Sequence, residues 1–291
     1  MSAINRMQLK LDQLHAQCRK ALVPFITAGY PGLDSTVAGM HGLVQAGADM
    51  IELGVPFSDP MADGVVIQKS SERALARGVN AAYIFNTVAE FRKSDSETPV
   101  ILMGYLNPIE RRGWAWYAGQ CTAAGVDALL IVDLPPEEAE SVRTELNQHG
   151  LQLISLLAPT TEGVRLRDAC AAAQGYIYYV SMAGVTGKGL EQAGSLKERI
   201  QEVQSLSQVP VFVGFGIKDP DTAQACARFA DGVIVGSALV TATTTRSKSA
   251  VEVKEACPCA SKGSVRASGW PSWRTPMRVA GASKPGKLVY N

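Results

Sequence analysis

Histidine is scarce in this chain, with three in 291 residues, at His15, His41 and His149, too scattered to form a ligand set. The six cysteines, Cys18, Cys121, Cys170, Cys226, Cys257 and Cys259, contain no C-x-x-C pair, so the spacing used by thiolate metal sites and redox motifs is missing. No apolar run approaches the ~20 residues of a membrane span. The first twenty residues, MSAINRMQLKLDQLHAQCRK, carry charge and helical periodicity where a secretory leader would carry an apolar core. These absences point to a protein without a metal site, away from the membrane, in a reducing cytoplasm. No G-x-G-x-x-G follows the first strand-like run either, which argues against a doubly wound dinucleotide fold.

The formal charge of +1 hides an asymmetry. After Val240 there are nine Lys or Arg against two Glu, which makes +7, so the body before it carries −6. A mildly acidic body lacks the basic face that a phosphate backbone requires, which argues against nucleic acid as a partner.

What is present is an alternation. Eight short apolar runs, Ala21–Thr27, Met50–Gly54, Val100–Gly104, Ala128–Val132, Gln152–Leu156, Ile177–Ser181, Val211–Gly214 and Gly232–Gly236, are separated by segments of helical periodicity. Eight βα units predict a parallel (β/α)₈ TIM barrel. Three helix-to-strand joints repeat one theme, at Gln45 to Asp49, Ala123 to Asp127 and Phe229 to Gly232: a helix stops at a small-residue turn and a strand begins.

The stretch ELGVPFSDPMADG, Glu52 to Gly64, is the most informative. Glu52 ends an apolar strand, where an unpaired ionised carboxylate is costly. A buried ion pair or backbone hydrogen bond would account for it. So would a glutamate whose raised pKa lets it give and take a proton near neutrality. The loop that follows adds Ser58, Asp59 and Asp63 among prolines, the composition of a loop that carries chemistry. Asp133, in DLPP, reads as the N-cap of a helix starting near Pro136. Glycine-rich turns after the sixth, seventh and eighth strands can supply backbone N–H groups to an anion. The segment from Ser181 to Gly194, with four glycines, reads as a mobile lid.

Together PFITAGYP, ELGVPFSDPMADG, DLPP, SMAGVTG, VGFGI and VGSALV, in this order from Pro24 to Val240, resemble the α subunit of tryptophan synthase. The resemblance implies cleavage of indole-3-glycerol phosphate to indole and glyceraldehyde 3-phosphate, without metal or organic cofactor, and assembly with a β subunit as αββα. It implies Glu52 as general acid and base and Asp63 as acceptor of the indole N–H, with Asp59 a rival on chemistry alone. It also implies Tyr178 lining the pocket, Thr186 closing over the aspartate, and phosphate held at Gly187, Phe215, Gly216, Gly236 and Ser237. Met182 stands where many relatives have arginine. The Pro56 to Asp59 loop and the Asn107 Pro108 turn would contact the β subunit. Two other readings stay open: a barrel that docks the β subunit with little cleavage of its own, and a different phosphate-binding barrel enzyme.

The resemblance covers about residues 1–240, the expected barrel domain. Residues 241–291 lack an apolar stripe, are rich in β-branched residues where a helix is due, and contain Pro258, Pro271, Pro276 and Pro285. They read as an atypical basic tail, joined by a change of reading frame or serving as an interaction arm.

Overall fold

The computed structural model of the chain describes residues 5–181, 189–214, 216–217 and 219–245. Met182, Thr186, Gly187, Phe215, most of the expected lid and tail residues 246–291 lie outside the described residues.

The strands are β1 (Ala21–Thr27), β2 (Ile51–Gly54), β3 (Val100–Gly104), β4 (Ala128–Ile131), β5 (Gln152–Leu153), β6 (Ser155–Leu157), β7 (Ile177–Val180), β8 (Val211–Gly214) and β9 (Gly232–Val235). They are parallel and run in the order β5-β4-β3-β2-β1-β9-β8-β7-β6. Sequence reading expected one unbroken strand from Gln152 to Leu156; it is two. The ladder to β4 ends at Leu129↔Leu153, and the chain then pairs with β7 from Ser155↔Ile177 onward. Between them the Ile154 N–H donates to Leu129 O at 2.9 Å. The two pieces are one barrel position, shared between two neighbours. The nine segments therefore fill eight positions of a nearly closed barrel, with a seam between the upper part of β4 and β6.

Alternation along the strands sorts the core into two layers. Val23, Met50, Ile101, Leu130, Tyr176, Tyr178, Phe212 and Ile234 fill the interior. Leu22, Ile26, Leu53, Leu102, Val213 and Val235 pack outward against the helices. The helix Arg6–Ala16 turns Met7, Leu11 and Leu14, spaced for one helical face, into the interior cluster and closes the bottom of the barrel. Burial of each such side chain contributes roughly 1.5–3 kcal/mol.

The three repeated joints prove to be clamps. The Asp49 N–H donates to Leu22 O, and an Asp49 carboxylate oxygen accepts the Leu22 N–H at 2.9 Å. Asp127 does the same with Val100, at 2.8 Å, and Asp231 with Val211, at 3.0 Å. Each carboxylate also meets a cation: Arg19 on Asp49, Arg6 and Arg92 on Asp127, Lys20 on Asp231. At the start of three strands, one buried aspartate ties its own strand to a neighbour and is fully engaged in doing so.

Beyond β9 the short helix expected to start at Ser237 runs to Thr245, five residues past Val240. Leu239 and Val240 are buried, the latter against Phe25, Tyr30 and Ile67, and the Thr243 hydroxyl donates to Val240 O at 2.8 Å. Burial of the first turn outweighs the weak propensity of the threonines.

Candidate active site

Glu52 pairs in register with Phe25 on β1 and Ile101 on β3, and the pleat turns all three inward near the C-terminal mouth. Its side chain is 0% exposed. One oxygen, Oε1, accepts a 2.6 Å hydrogen bond from the Tyr176 hydroxyl. The other, Oε2, has no hydrogen-bond partner among the described residues. Burial pushes the carboxyl up to about 7, with the Tyr176 hydroxyl pulling the other way. Of the two reasons for a buried glutamate, the ion pair is absent among the described residues. What remains is a carboxyl that is half protonated near neutrality and has one oxygen available to a ligand.

Tyr176 is held in turn. It is fully buried and stacks on Phe212, with ring centroids 4.4 Å apart and planes 18° from parallel. Nothing in the sequence alone gives it a role. The available signal was period two, because Tyr176 lies on the same face as Tyr178.

Asp63 comes to the mouth on the loop after β2. That loop is braced by Asp63 N–H to Pro60 O and by the Gln68 amide donating to Asp63 O at 2.8 Å, just before the helix Val65–Ala76. Asp63 is partly buried. Burial raises its carboxyl to about 6, and a hydrogen bond with the Tyr105 hydroxyl opposes the rise. Tyr105 also accepts the Ala62 N–H at 3.1 Å and stacks on Phe57 at 5.2 Å. It thus fixes both the loop and the carboxylate. Nothing in the sequence singled Tyr105 out, since it follows β3 and meets this loop only in the fold.

Tyr178 stands within reach of the charge of both carboxylates. It is buried, and its hydroxyl lies so close over Gly214 that a Cβ there would meet it at 2.1 Å. Burial raises its pKa far above the usual value, and the charges of Glu52 and then Asp63 add to the rise, so its hydroxyl sits within the field of both. Asp59 is exposed and occupied by the Ser58 hydroxyl at 2.5 Å.

Gly216 has φ +76°, a conformation for which glycine is suited. Gly236 and Ser237 lie at the start of the helix Ser237–Thr245, with Gly236 against Phe25. The structure brings these to the same mouth as Glu52, at the ends of β8 and β9. Thr186, Gly187 and Phe215 fall outside the described residues. Asp133 does not cap the segment at Pro136; its carboxylate accepts the Leu106 N–H at 2.8 Å, capping the helix Leu106–Glu110 of the preceding unit. The neighbouring loop was nearer to it than its own helix start.

Among the described residues no group of three or more His, Cys, Asp or Glu is placed to hold a metal ion, and no helix is long and apolar enough to cross a membrane.

The model of one protein family, described as "Tryptophan synthase alpha chain", matches residues 11–265. The tryptophan synthase alpha chain of Xylella fastidiosa (strain M12) is 57% identical over 239 residues, covering 82% of this chain and 89% of the relative. That of Xanthomonas axonopodis pv. citri (strain 306) is 58% identical over 240 residues, covering 82% and 90%. Among solved structures, tryptophan synthase subunit alpha from Legionella pneumophila str. Paris superposes with a TM-score of 0.82 at 46% identity, covering 89% of this chain and 97% of that one. A chain of tryptophan synthase from M. tuberculosis, in its aminoacrylate-bound form, gives 0.78 at 33% identity, covering 88% and 98%.

Proposed function

The chain belongs to the tryptophan synthase alpha chain family, and from that premise we propose that it cleaves indole-3-glycerol phosphate to indole and glyceraldehyde 3-phosphate with Glu52 and Asp63 as its reacting carboxylates. The observation that carries the assignment is Glu52 itself, fully buried, with one oxygen held by Tyr176 and the other unengaged among the described residues.

The reaction is a retro-aldol cleavage. The ring carbon that leaves must gain a proton, the hydroxyl on the carbon it leaves must lose one, and positive charge develops on the ring nitrogen. A carboxyl poised at about 7 is populated in both forms at neutral pH. Glu52 gives its proton to the ring carbon, becomes a carboxylate, and takes the hydroxyl proton as the carbon–carbon bond breaks. It ends as it began. Asp63, at about 6, is mostly ionised at neutrality. It accepts the indole N–H and offsets the developing charge, a task that Tyr105 supports by fixing its position. Tyr178 lines the pocket between the two. Positioned proton transfer contributes typically ~10²- to 10⁴-fold, and a preorganised counter-charge a further ~10²- to 10³-fold.

The phosphate is assigned to the turns after β7, β8 and β9, at Gly187, Phe215, Gly216, Gly236 and Ser237, where glycine lets backbone N–H groups approach an anion. Thr186 is assigned to closure over Asp63. The β subunit is assigned to the face that carries the Pro56 to Asp59 loop and the Asn107 Pro108 turn; Phe57 to Asp59 and that turn border a cavity of about 650 Å³ with Arg111 and Arg112. We place the chain in the cytoplasm, in keeping with a biosynthetic family and free cysteines at Cys18, Cys121, Cys170 and Cys226. The barrel unit ends near Val240, with its last helix carried to Thr245, and the basic tail follows.

The deciding experiment is indole release from indole-3-glycerol phosphate by the purified chain, with and without β subunit. Release that the β subunit stimulates is the expected result. Folded protein that binds the β subunit yet releases no indole would reduce the chain to a docking barrel.

A further inference from the structure

Tyr105 joins β3 to the helix Leu106–Glu110, and two consecutive residues past the end of β4 hold the peptide groups on either side of it. Before it, the Gly104 C=O accepts the Val132 N–H at 2.9 Å. After it, the Leu106 N–H donates to the Asp133 carboxylate at 2.8 Å. Each group belongs to one of the two rigid peptide planes that meet at the Tyr105 Cα, so together they fix its φ of −115° and its ψ of 156°. The first bond continues the sheet ladder, and any residue but proline could make it. The second is different. A helix leaves its first amides without backbone acceptors, and here a carboxylate from the next βα unit supplies one, with the added strength of a charged acceptor. The buried Tyr105 side chain then reaches the loop after β2, where its hydroxyl accepts the Ala62 N–H at 3.1 Å and bonds Asp63. Because that hydroxyl sits at the far end of its side chain, a small rotation of the Tyr105 backbone is magnified there.

We propose that Asp133 is a positioning residue for the cleavage: by holding the Leu106 N–H it sets the direction of Tyr105, and through the Tyr105 hydroxyl the place of Asp63. The inference rests on the role given to Asp63 above. Asp133 touches neither Asp63 nor the reacting atoms; its effect passes through one backbone amide and one tyrosine. Ala62 and Asp63 are neighbours on the same loop and share that tyrosine, so a displaced hydroxyl disturbs the loop backbone and the carboxylate together. Misplacement of a reacting group by about 1 Å can cost ~10²-fold in rate, and a loosened tyrosine displaces Asp63 by less.

The test compares, in the full chain, Asp133→Ala, which removes the acceptor, with Asp133→Asn, which keeps an oxygen for the Leu106 N–H. Both change an exposed side chain, so the fold should stand. The first readout needs no turnover: the ¹⁵N–¹H resonance of Ala62, whose N–H donates to the Tyr105 hydroxyl, should move in Asp133→Ala and return in Asp133→Asn. The second is indole release. Asp133→Ala should lower kcat ~5- to 10-fold, and Asp133→Asn should recover most of it. The Asp63 limb of the kcat/KM profile should move to higher pH in Asp133→Ala, because the Tyr105 hydroxyl opposes the rise of that carboxyl. In a Tyr105→Phe background Asp133→Ala should cost less than about twofold more, since both changes break one chain of contacts. An Ala62 resonance unmoved in Asp133→Ala would overturn the positioning role, whether or not the chain turns over substrate. So would an equal loss of kcat in the parent and Tyr105→Phe backgrounds, or an Asp133→Asn variant as impaired as Asp133→Ala. A resonance that moves in a chain releasing no indole would strike down the cleavage reaction itself, and the positioning role with it.

Discussion

The two ends of this barrel use the same chemical group in opposite ways. At the N-terminal rim Asp49, Asp127 and Asp231 are buried, and each accepts a backbone N–H from a neighbouring strand and meets at least one cation. At the C-terminal mouth Glu52 is equally buried but has a single tyrosine for one oxygen and nothing, among the described residues, for the other. Asp63 has the Tyr105 hydroxyl and, among the described residues, no cation beside it. Burial alone therefore does not make a carboxylate reactive. What distinguishes the mouth is that its carboxylates are left under-satisfied, and a ligand is expected to complete them.

That contrast is open to direct challenge. The largest expected effect is on Glu52→Gln, which keeps shape and removes the titrating proton: kcat for indole release should fall by ~10³- to 10⁴-fold with substrate binding near normal. Indole release at the parent rate would mean that the acid and base lie elsewhere. Next comes Asp127→Ala at the other rim, which strands Arg92 and the Val100 N–H. Denaturant unfolding should show a loss of about 3–5 kcal/mol, while kcat of the folded fraction stays within about twofold of the parent. A large kcat effect with intact stability would erase the distinction between the two ends.

Asp63→Asn should lower kcat by ~10²- to 10³-fold, the usual cost of removing one preorganised charge. Asp59→Asn is the control and should leave kcat nearly unchanged; if it instead shows the larger loss, the ring-nitrogen role moves to Asp59.

A smaller effect concerns stability. In the folded chain Glu52 titrates at about 7, against an ordinary 4.5 in the unfolded one. Between those values the folded state holds more protons, so this group's contribution to stability falls as pH rises from about 4.5 to about 7 and is level above. Glu52→Gln should remove that fall and be more stable than the parent at pH 8, by about 1–3 kcal/mol. Equal stability of the two proteins from pH 4 to pH 8 would place an unseen partner on the carboxyl.

The smallest effect is on Tyr176→Phe. Losing the hydroxyl that holds Oε1 should move the Glu52 limb of the kcat/KM profile to higher pH, with little change in stability beyond the roughly 1 kcal/mol of one hydrogen bond.

Much of this was legible in the sequence, for identifiable reasons. Strands buried on both faces appear as continuous apolar runs, so seven of the eight barrel positions could be placed to within a residue or two. The fifth could not, since Ile154 looks like any strand residue and only its two neighbours reveal the break. Glu52 and Asp63 stood out as carboxylates at a strand end and in a rigid loop. The three clamps showed only half of themselves: the small-residue turn is local, but the amides they hold are 27, 27 and 20 residues away. Tyr105 and the Asp133 cap were hidden for the same reason, because each acts across adjacent βα units. The threonine-rich start of the tail has weak helix propensity, and the burial of Leu239 and Val240 carries the helix into it.

The clamps also set a clock on the molecule. The amides of Leu22, Val100 and Val211 are held by carboxylates that open only when a neighbouring strand lets go. They should therefore be among the slowest protons in the chain to exchange with deuterium, close to the rate of global unfolding. The mouth, where loops carry the chemistry, can exchange and rearrange many times within that interval. The lower rim is the fixed frame against which such motion takes place, and a variant that quickens those three amides has loosened the barrel itself.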